Sequence, residues 1–391
     1  MSSQIIDSQR WNIIKTIGHG AHSTVYEVER KFHLNDDFST KSKQINEKLA
    51  IKVANAQENS IYLDAEAELM KILGETKFFC KFIENGIFPD GRSYIVEELL
   101  NQTLSQRINS VSGIISLQSS LLIARQCLKI IETFHHAGFV HNDIKPDNFV
   151  YRLIQPDYCK EEIVLIDFGL SAISESYQLN SSIFTNVNCV QHNKASRATR
   201  YSTYRIHEGN IGTQIDDLGS WLNMSIEFST GNLPWSHIKD RNIAGEMKKR
   251  LSIADVVQQS GADAVFLQLG NIIESESITH IPLDYRPLFD IIDNRLQQLI
   301  FNIEPQQIHH ISDDDIEMKL IDWDSERKLN EDNKKKGRLK QTKITDIILP
   351  TFEKDDDSKI EEEDKSTTKQ FKQCGMKQFG QHQGIKRPGS S

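Results

Sequence analysis

The five cysteines of this 391-residue chain, Cys80, Cys127, Cys159, Cys189 and Cys374, are odd in number, far apart and without a Cys-x-x-Cys pair. Neither a disulfide framework nor a cysteine-bound zinc is expected; reduced thiols in a cytoplasmic or nuclear setting are. No run of eighteen apolar residues occurs, so no spanning helix and no membrane role is expected. The start lacks the basic and apolar stretches of a secretory leader, and Ser2 stands where myristoylation requires glycine, so export is not expected either. Positive charge is also short: 46 Lys and Arg against 55 Asp and Glu leave a net charge of −9, which argues against broad binding of nucleic acid or anionic surfaces.

What is present, 38% hydrophobic and 26% charged residues, describes a globular protein with a polar extension. The chain is longer than one core serves, which predicts a large bilobal domain, or two domains, plus a tail. The tail is legible as charge. Asp313-Asp314-Asp315, Lys334-Lys335-Lys336, Asp355-Asp356-Asp357 and Glu361-Glu362-Glu363-Asp364 come with few aromatics, so residues 303–391 read as mostly disordered. Residues 11–302 read as the folded domain and 1–10 as a short N-terminal extension. From Lys365 onward there is no acid. That basic end reads as a solubilising tail, or as a nuclear import or docking segment for an acidic partner.

The chemistry concentrates in His141-Asn142-Asp143-Ile144-Lys145-Pro146-Asp147-Asn148-Phe149, with a carboxylate, an ammonium and an amide at offsets zero, two and five. One short apolar strand later, Ile163 to Ile166, comes Asp167-Phe168-Gly169. Moving a γ-phosphoryl group from ATP to a hydroxyl needs a group to orient the nucleophile, cations to neutralise the phosphates and ligands to hold those cations. Asp143 can take the hydroxyl proton, Lys145 can neutralise the transferred group, and Asn148 and Asp167 offer the hard oxygens that Mg²⁺ prefers. Asp-x-Lys or Asp-Phe-Gly alone is usually a solvated turn; ordered and correctly spaced, the two point to phosphoryl transfer.

Upstream, Trp11 to Ile17 and Val25 to Val28 read as strands around the tip Gly18-His19-Gly20, where glycines let backbone amides approach phosphate oxygens. A polar insertion, Lys31 to Lys48, precedes the strand Leu49 to Val53, which carries Lys52, and the helix Ile61 to Leu73. That helix offers Glu66 and Glu68 as partners for Lys52, and Glu66 is the choice. Ile83 to Ile87 and Ser93 to Leu99 read as strands around Pro89-Asp90-Gly91-Arg92. Helices follow over Leu121 to Phe134, Ile215 to Phe228, Ile238 to Val257, Ala262 to Ile273 and Pro287 to Phe301, with a long polar loop from Asp167 to Arg205. Strands first and helices later predict an α+β fold with a small β-rich lobe, 11–100, a larger helical lobe, 101–302, and a nucleotide between them.

The ordered set Gly18-x-Gly20, Ala50-Ile51-Lys52, Glu66, His141-x-Asp143-x-Lys145-Pro146-x-Asn148 and Asp167-Phe168-Gly169 resembles the protein kinase signature. Asn148-Phe149, Asp167-Phe168-Gly169-Leu170, Arg200-Tyr201-Ser202, Asp216-Asp217-Leu218 and Gly231-Asn232-Leu233-Pro234-Trp235, with no Ala-Pro-Glu after the loop, resemble the casein kinase I superfamily. Glu227-Phe228 and Ile238-Lys239-Asp240 are most similar to its tau-tubulin kinase branch. The resemblance implies a bilobal kinase fold, ATP and Mg²⁺ as cofactors, and protein substrates modified on serine or threonine, often at acidic or phosphorylated sites. It implies that Ile17, Gly18, Gly20, Ser23 and Val25 cover ATP, that Ala50 and Val150 sandwich adenine, and that Glu98 and Leu100 supply hinge backbone contacts. Lys52, fixed by Glu66, would hold the α and β phosphates, and Asp217 would brace the backbone of the His141 loop.

Arg200 fits an anion-binding role toward such substrates, or a salt bridge that closes its own loop. Several positions depart from the pattern. Asn142 stands for the usual arginine, Ser23 for the third glycine, Arg197-Ala198 for a glycine and a threonine, and Glu97 for an apolar residue behind adenine. These departures support the rival reading, a pseudokinase scaffold that binds partners and transfers nothing. A nucleic-acid binder led by its basic tail is the third reading.

Overall fold

The computed structural model describes residues 10–31, 48–155, 160–174, 198–276, 283–301 and 321–335. Strands β1 (Trp11–His19), β2 (Ser23–Arg30), β3 (Lys48–Ala54), β4 (Phe82–Ile87) and β5 (Ser93–Glu98) form one antiparallel sheet in the order β1-β2-β3-β5-β4. Period-two alternation gives the sheet two different faces. Leu49, Ile51 and Val53 of β3 join Trp11, Tyr26, Val28, Phe88, Tyr94 and Val96 in an outer apolar cluster. Ala50 and Lys52, between them in sequence, take the opposite face, shared with their cross-strand partners Glu97 and Ile95.

Helix α1 (Ser60–Leu73) packs on that second face and starts one residue before its expected position. Its buried Leu63, Ala67, Leu69 and Met70 belong to the larger core, which runs on into the helical lobe. There, α2 (Leu104–Ser110) opens on a capping box in which Thr103 and Gln106 exchange side-chain to backbone hydrogen bonds. Helix α3 (Leu117–His136) extends the expected span at both ends. Two short pairs follow, β6 (Phe139–Val140) with β9 (Ala172–Ile173) and β7 (Phe149–Gln155) with β8 (Lys160–Leu165); they hold the His141 and Asp167 segments at their ends. Beyond the short α4 (Tyr204–His207), α5 (Gln214–Thr230) packs along α3, and its Trp221 Nε1 donates to Ala124 O at 2.9 Å.

The single helix expected over Ile238 to Val257 is two helices, α6 (Arg241–Arg250) and α7 (Ile253–Ser260). Asp240 caps the first, accepting from Asn242 N and Ile243 N, so residues 238–240 stay outside it. Leu251 is extended at φ −85° and ψ 128°, and Ser252 with Asp255 then forms a fresh capping box. Helical apolar spacing in the sequence, Ile243, Met247, Leu251 and Ala254, runs through this break. Helices α8 (Ala264–Glu276) and α9 (Arg286–Phe301) complete the bundle, and no helix among the described residues is long and apolar enough to cross a membrane.

One element falls inside the stretch expected to be mostly disordered. Helix α10 (Trp323–Lys335) packs against the start of α3. Buried Glu326 accepts from Ser116 N at 2.8 Å, Ser116 Oγ at 2.5 Å and Ser119 Oγ at 2.6 Å, and a carboxylate at a helix N-terminus is favoured by the helix dipole. Asn330 Nδ2 donates to Val111 O and Ile114 O, both at 2.7 Å, and the Trp323 ring meets Tyr151 edge-on at 6.3 Å. Charged composition hides this helix because its three anchoring residues are scattered among acids and lysines. The basic end from Lys365 lies outside the described residues.

Candidate active site

The inner face of the sheet, α1 and the two short strand pairs converge on one set of polar side chains. Lys52 Nζ donates to Glu66 Oε1 at 2.8 Å, Glu66 Oε2 at 2.7 Å and Asp167 Oδ1 at 2.7 Å. Glu66 is therefore the partner chosen from the sequence, and Glu68 instead pairs with Lys71 on the helix surface. Burial alone would lower the Lys52 pKa, but Asp167, Glu66 and Glu97 outweigh it and raise it, so the ammonium stays charged. The same ammonium holds Asp167 well below the usual carboxylate range, while burial pushes Glu66 up.

Asp167 adopts a left-handed backbone, φ 66° and ψ 68°, which aspartate tolerates better than most residues. The turn it makes sends Phe168 inward, where its ring stacks on Phe134 at 5.5 Å and meets Phe79 and His141 edge-on at 6.0 and 5.8 Å. Phe168 N donates to Glu66 Oε1 at 3.1 Å, so one glutamate fixes both the lysine and this turn.

The His141 loop supplies the second half. Lys145 Nζ donates to Asp143 Oδ2 at 2.5 Å, and Asn148 Nδ2 donates to Asp143 O at 2.8 Å and Asp143 Oδ2 at 3.1 Å. Burial raises the Asp143 pKa against the opposing pull of Lys145. With its amide nitrogen spent on Asp143, Asn148 has its carbonyl oxygen to offer a cation. Asp217 holds the loop from below, accepting from His141 N at 2.6 Å and Asn142 N at 2.9 Å. His141 Nε2 donates to Ile166 O at 3.1 Å and Nδ1 accepts from Asp143 N at 3.3 Å, the pattern of a neutral ring, and burial lowers its pKa accordingly.

Asn142, in place of arginine, has φ 67° and donates to Leu170 O at 3.0 Å, tying the loop to the Asp167 turn. A Cβ at Gly212 would lie 1.9 Å from Asn142 Oδ1, so this close approach requires glycine.

The remaining expected residues lie on the sheet, on the segment after β5 and on β7. Val25 lies opposite Lys52 and Ala50 opposite Glu97, while Val150 is buried and bridges to Thr103. At the β1–β2 tip, Gly20 N donates to Ser23 O at 2.8 Å, and Asn55 Nδ2 holds Gly20 O at 3.0 Å. A Cβ at Gly18 or Gly20 would meet the chain no closer than 3.7 or 3.4 Å. The fold itself hardly demands glycine here, which fits a tip shaped for close approach by a ligand. Ile17 is exposed at the end of β1, and Leu100 is half-buried beside Asn101, whose N–H donates to Tyr151 O at 2.9 Å. The Glu98 carboxylate is occupied by Lys81 N at 2.7 Å and by the Arg152 guanidinium.

These residues fit Mg-ATP by the chemistry of the set. A buried ammonium answers phosphate charge, and hard carboxylate and amide oxygens suit the metal. Ala198 is buried, and Arg197 lies outside the described residues, as does 175–197 of the long loop. Arg200 closes its own loop. It pairs with Glu227 at 3.2 Å and donates to Ser236 O at 3.1 Å.

Three positioning groups were not legible in the sequence. His135 Nε2 meets Asp217 Oδ2 at 2.9 Å and its Nδ1 meets the Tyr285 hydroxyl, extending the brace of the His141 loop toward α9. Lys248 Nζ, 4.9 Å over the Trp235 ring, donates to the carbonyls of Thr199, Arg200 and Ser202 at 3.2, 2.9 and 2.7 Å. Its Lys248-Lys249-Arg250 run looks like a solvated helix face, and only burial distinguishes the first lysine.

The protein kinase domain model matches residues 11–265 of this chain. The chain is 33% identical over 252 residues to a probable serine/threonine-protein kinase of Dictyostelium discoideum, a match covering 64% of this chain and 46% of that protein. It is 28% identical over 209 residues to a probable casein kinase I homolog of Encephalitozoon cuniculi, covering 52% of this chain and 64% of that protein. The chain thus spans less than two thirds of each of these relatives. A family model that covers well over half of the sequence, on a fold that brings Lys52, Glu66 and Asp167 into contact, makes this chain a member of the protein kinase family.

Proposed function

We infer that this chain is an active serine/threonine protein kinase of casein kinase I type, transferring the γ-phosphoryl group of ATP to protein hydroxyls. The observation that carries the reading is the pairing of Lys52 with both Glu66 and Asp167 in the same cleft as the Asp143–Lys145–Asn148 cluster. Lys52 binds phosphate oxygens, and Glu66 keeps it aimed. Asp143 orients the substrate hydroxyl and takes its proton, and Lys145 neutralises charge on the transferred group. Asn148 and Asp167 would hold Mg²⁺, which neutralises the phosphates when bound.

With Asn142 in place of an arginine, this reading expects activity without a phosphorylated loop. A casein kinase I-like preference for acidic or phosphorylated sites draws support from the Encephalitozoon relative's name and from Arg200, whose side chain stays 45% exposed beside Glu227. The cytoplasm or nucleus is the proposed location, with the tail as a docking segment. A scaffold without catalysis is the second reading, favoured by buried Ala198, which offers no hydroxyl near the loop.

Labelled Mg-ATP with casein and the full chain separates the two. The active reading expects label in casein at a turnover of about 1–100 per second. A rise in melting temperature with Mg-ATP but no label favours the scaffold.

A further inference from the structure

The inner face of the sheet carries a carboxyl group that phosphoryl transfer leaves unused. Glu97 is the cross-strand neighbour of Ala50 on the inner face, one pair along from Ile95 and Lys52. It is half-buried, burial pushes its pKa up to about 7, and the neighbouring Cys80 thiol donates to Glu98 O at 3.9 Å. Lys52 spends its own hydrogen bonds on Glu66 and Asp167, so it does not close over Glu97. A carboxylate offers about four acceptor positions. That capacity sits on the face of the sheet that carries Ala50.

The two common purines differ at the six-position, where adenine carries an amine donor and guanine a carbonyl acceptor. A carboxylate accepts from the first and meets the second with two like partial charges. We propose that Glu97 is a specificity-determining residue that selects adenine over guanine nucleotides by accepting from the exocyclic amine. The inference deepens the kinase reading and rests on it. It also gives a use to a residue that otherwise counts as a departure from the family pattern.

The test measures binding of adenylyl and guanylyl imidodiphosphate, each with Mg²⁺, to the full chain by calorimetry at a pH of about 8.5, where Glu97 is ionised, so no turnover is required. The wild type should favour the adenine analogue by about tenfold or more, the size of one charge-assisted hydrogen bond. Glu97→Gln, nearly the same shape, adds an amide that can donate to a carbonyl, so the ratio should fall toward one mainly through a gain for guanine. Glu97→Met should lower the ratio through a loss for adenine. Melting curves without nucleotide check that both variants fold, and the glutamine variant carries the test if the methionine one does not.

Equal binding by wild type, or a ratio that neither variant changes, overturns the proposal. So does an equal loss for both analogues, which would make Glu97 only a counter-charge for Lys52. A wild type that binds neither analogue overturns the nucleotide reading and this inference together.

Discussion

Lys52 Nζ lies 2.7 Å from Asp167 Oδ1 although 115 positions separate the two residues, and Glu66 approaches the same ammonium equally closely. The contact joins the sheet, α1 and the Asp167 turn at one charge. The side chain of Glu66 is almost wholly buried, whereas that of Asp167 is 44% exposed, so Glu66 depends on Lys52 more than Asp167 does. Lys52→Met should therefore cost about 3–5 kcal/mol, the usual cost of leaving one partner of a buried pair uncompensated. Urea denaturation of the two proteins measures it. A loss below about 1 kcal/mol, the scale of an exposed pair, would mean that this contact does not fasten α1 to the sheet.

His141 gives the stability a pH dependence of known sign. Burial lowers its folded-state pKa below the ordinary 6.5, so the unfolded chain binds the proton first as pH falls. The His141 contribution is full above pH 6.5 and is lost as pH drops from there through the lower folded value. Unfolding free energies of wild type and His141→Phe, measured from pH 7.5 down, should diverge at high pH and converge in acid. Curves that stay parallel through this window would show that folding leaves the His141 pKa where it is in the unfolded chain.

Helix α10 is a structural part of the domain by the same reasoning. Glu326 satisfies Ser116 N, Ser116 Oγ and Ser119 Oγ at the start of α3, and its removal leaves these donors in a buried place. Glu326→Ala should cost about 1–3 kcal/mol, with a smaller loss for Glu326→Gln, which keeps one acceptor oxygen. Thermal unfolding of both variants checks the order. Two variants as stable as wild type would reduce α10 to a surface attachment.

What could be seen in the sequence follows from how local each signal is. The strands around Lys52 and the helix carrying Glu66 are written in short-range apolar spacing, and the His141 and Asp167 motifs are contiguous, so the sequence alone locates them. The break between α6 and α7 leaves no apolar signal, since Ile243, Met247, Leu251 and Ala254 keep helical spacing across it and only the Ser252–Asp255 cap ends the run. Lys248, His135, Tyr285 and Glu326 act through partners 41 to 210 positions away. No local pattern marks a lysine that will cap three carbonyls, or a glutamate that will cap a distant helix. Glu97 stood out in the sequence as an oddity, and the β3–β5 register placed it opposite Ala50.

Asp143 is held between Lys145 at 2.5 Å and Asn148 at 3.1 Å, where a substrate hydroxyl would give up its proton. Label transfer from Mg-ATP to casein by wild type and by Asp143→Asn, a change that keeps shape and removes the base, tests it directly. The account predicts transfer by the wild type and a loss of about 10²–10⁴-fold in the variant, the range of a positioned acid–base group. Equal transfer by the two proteins would contradict it.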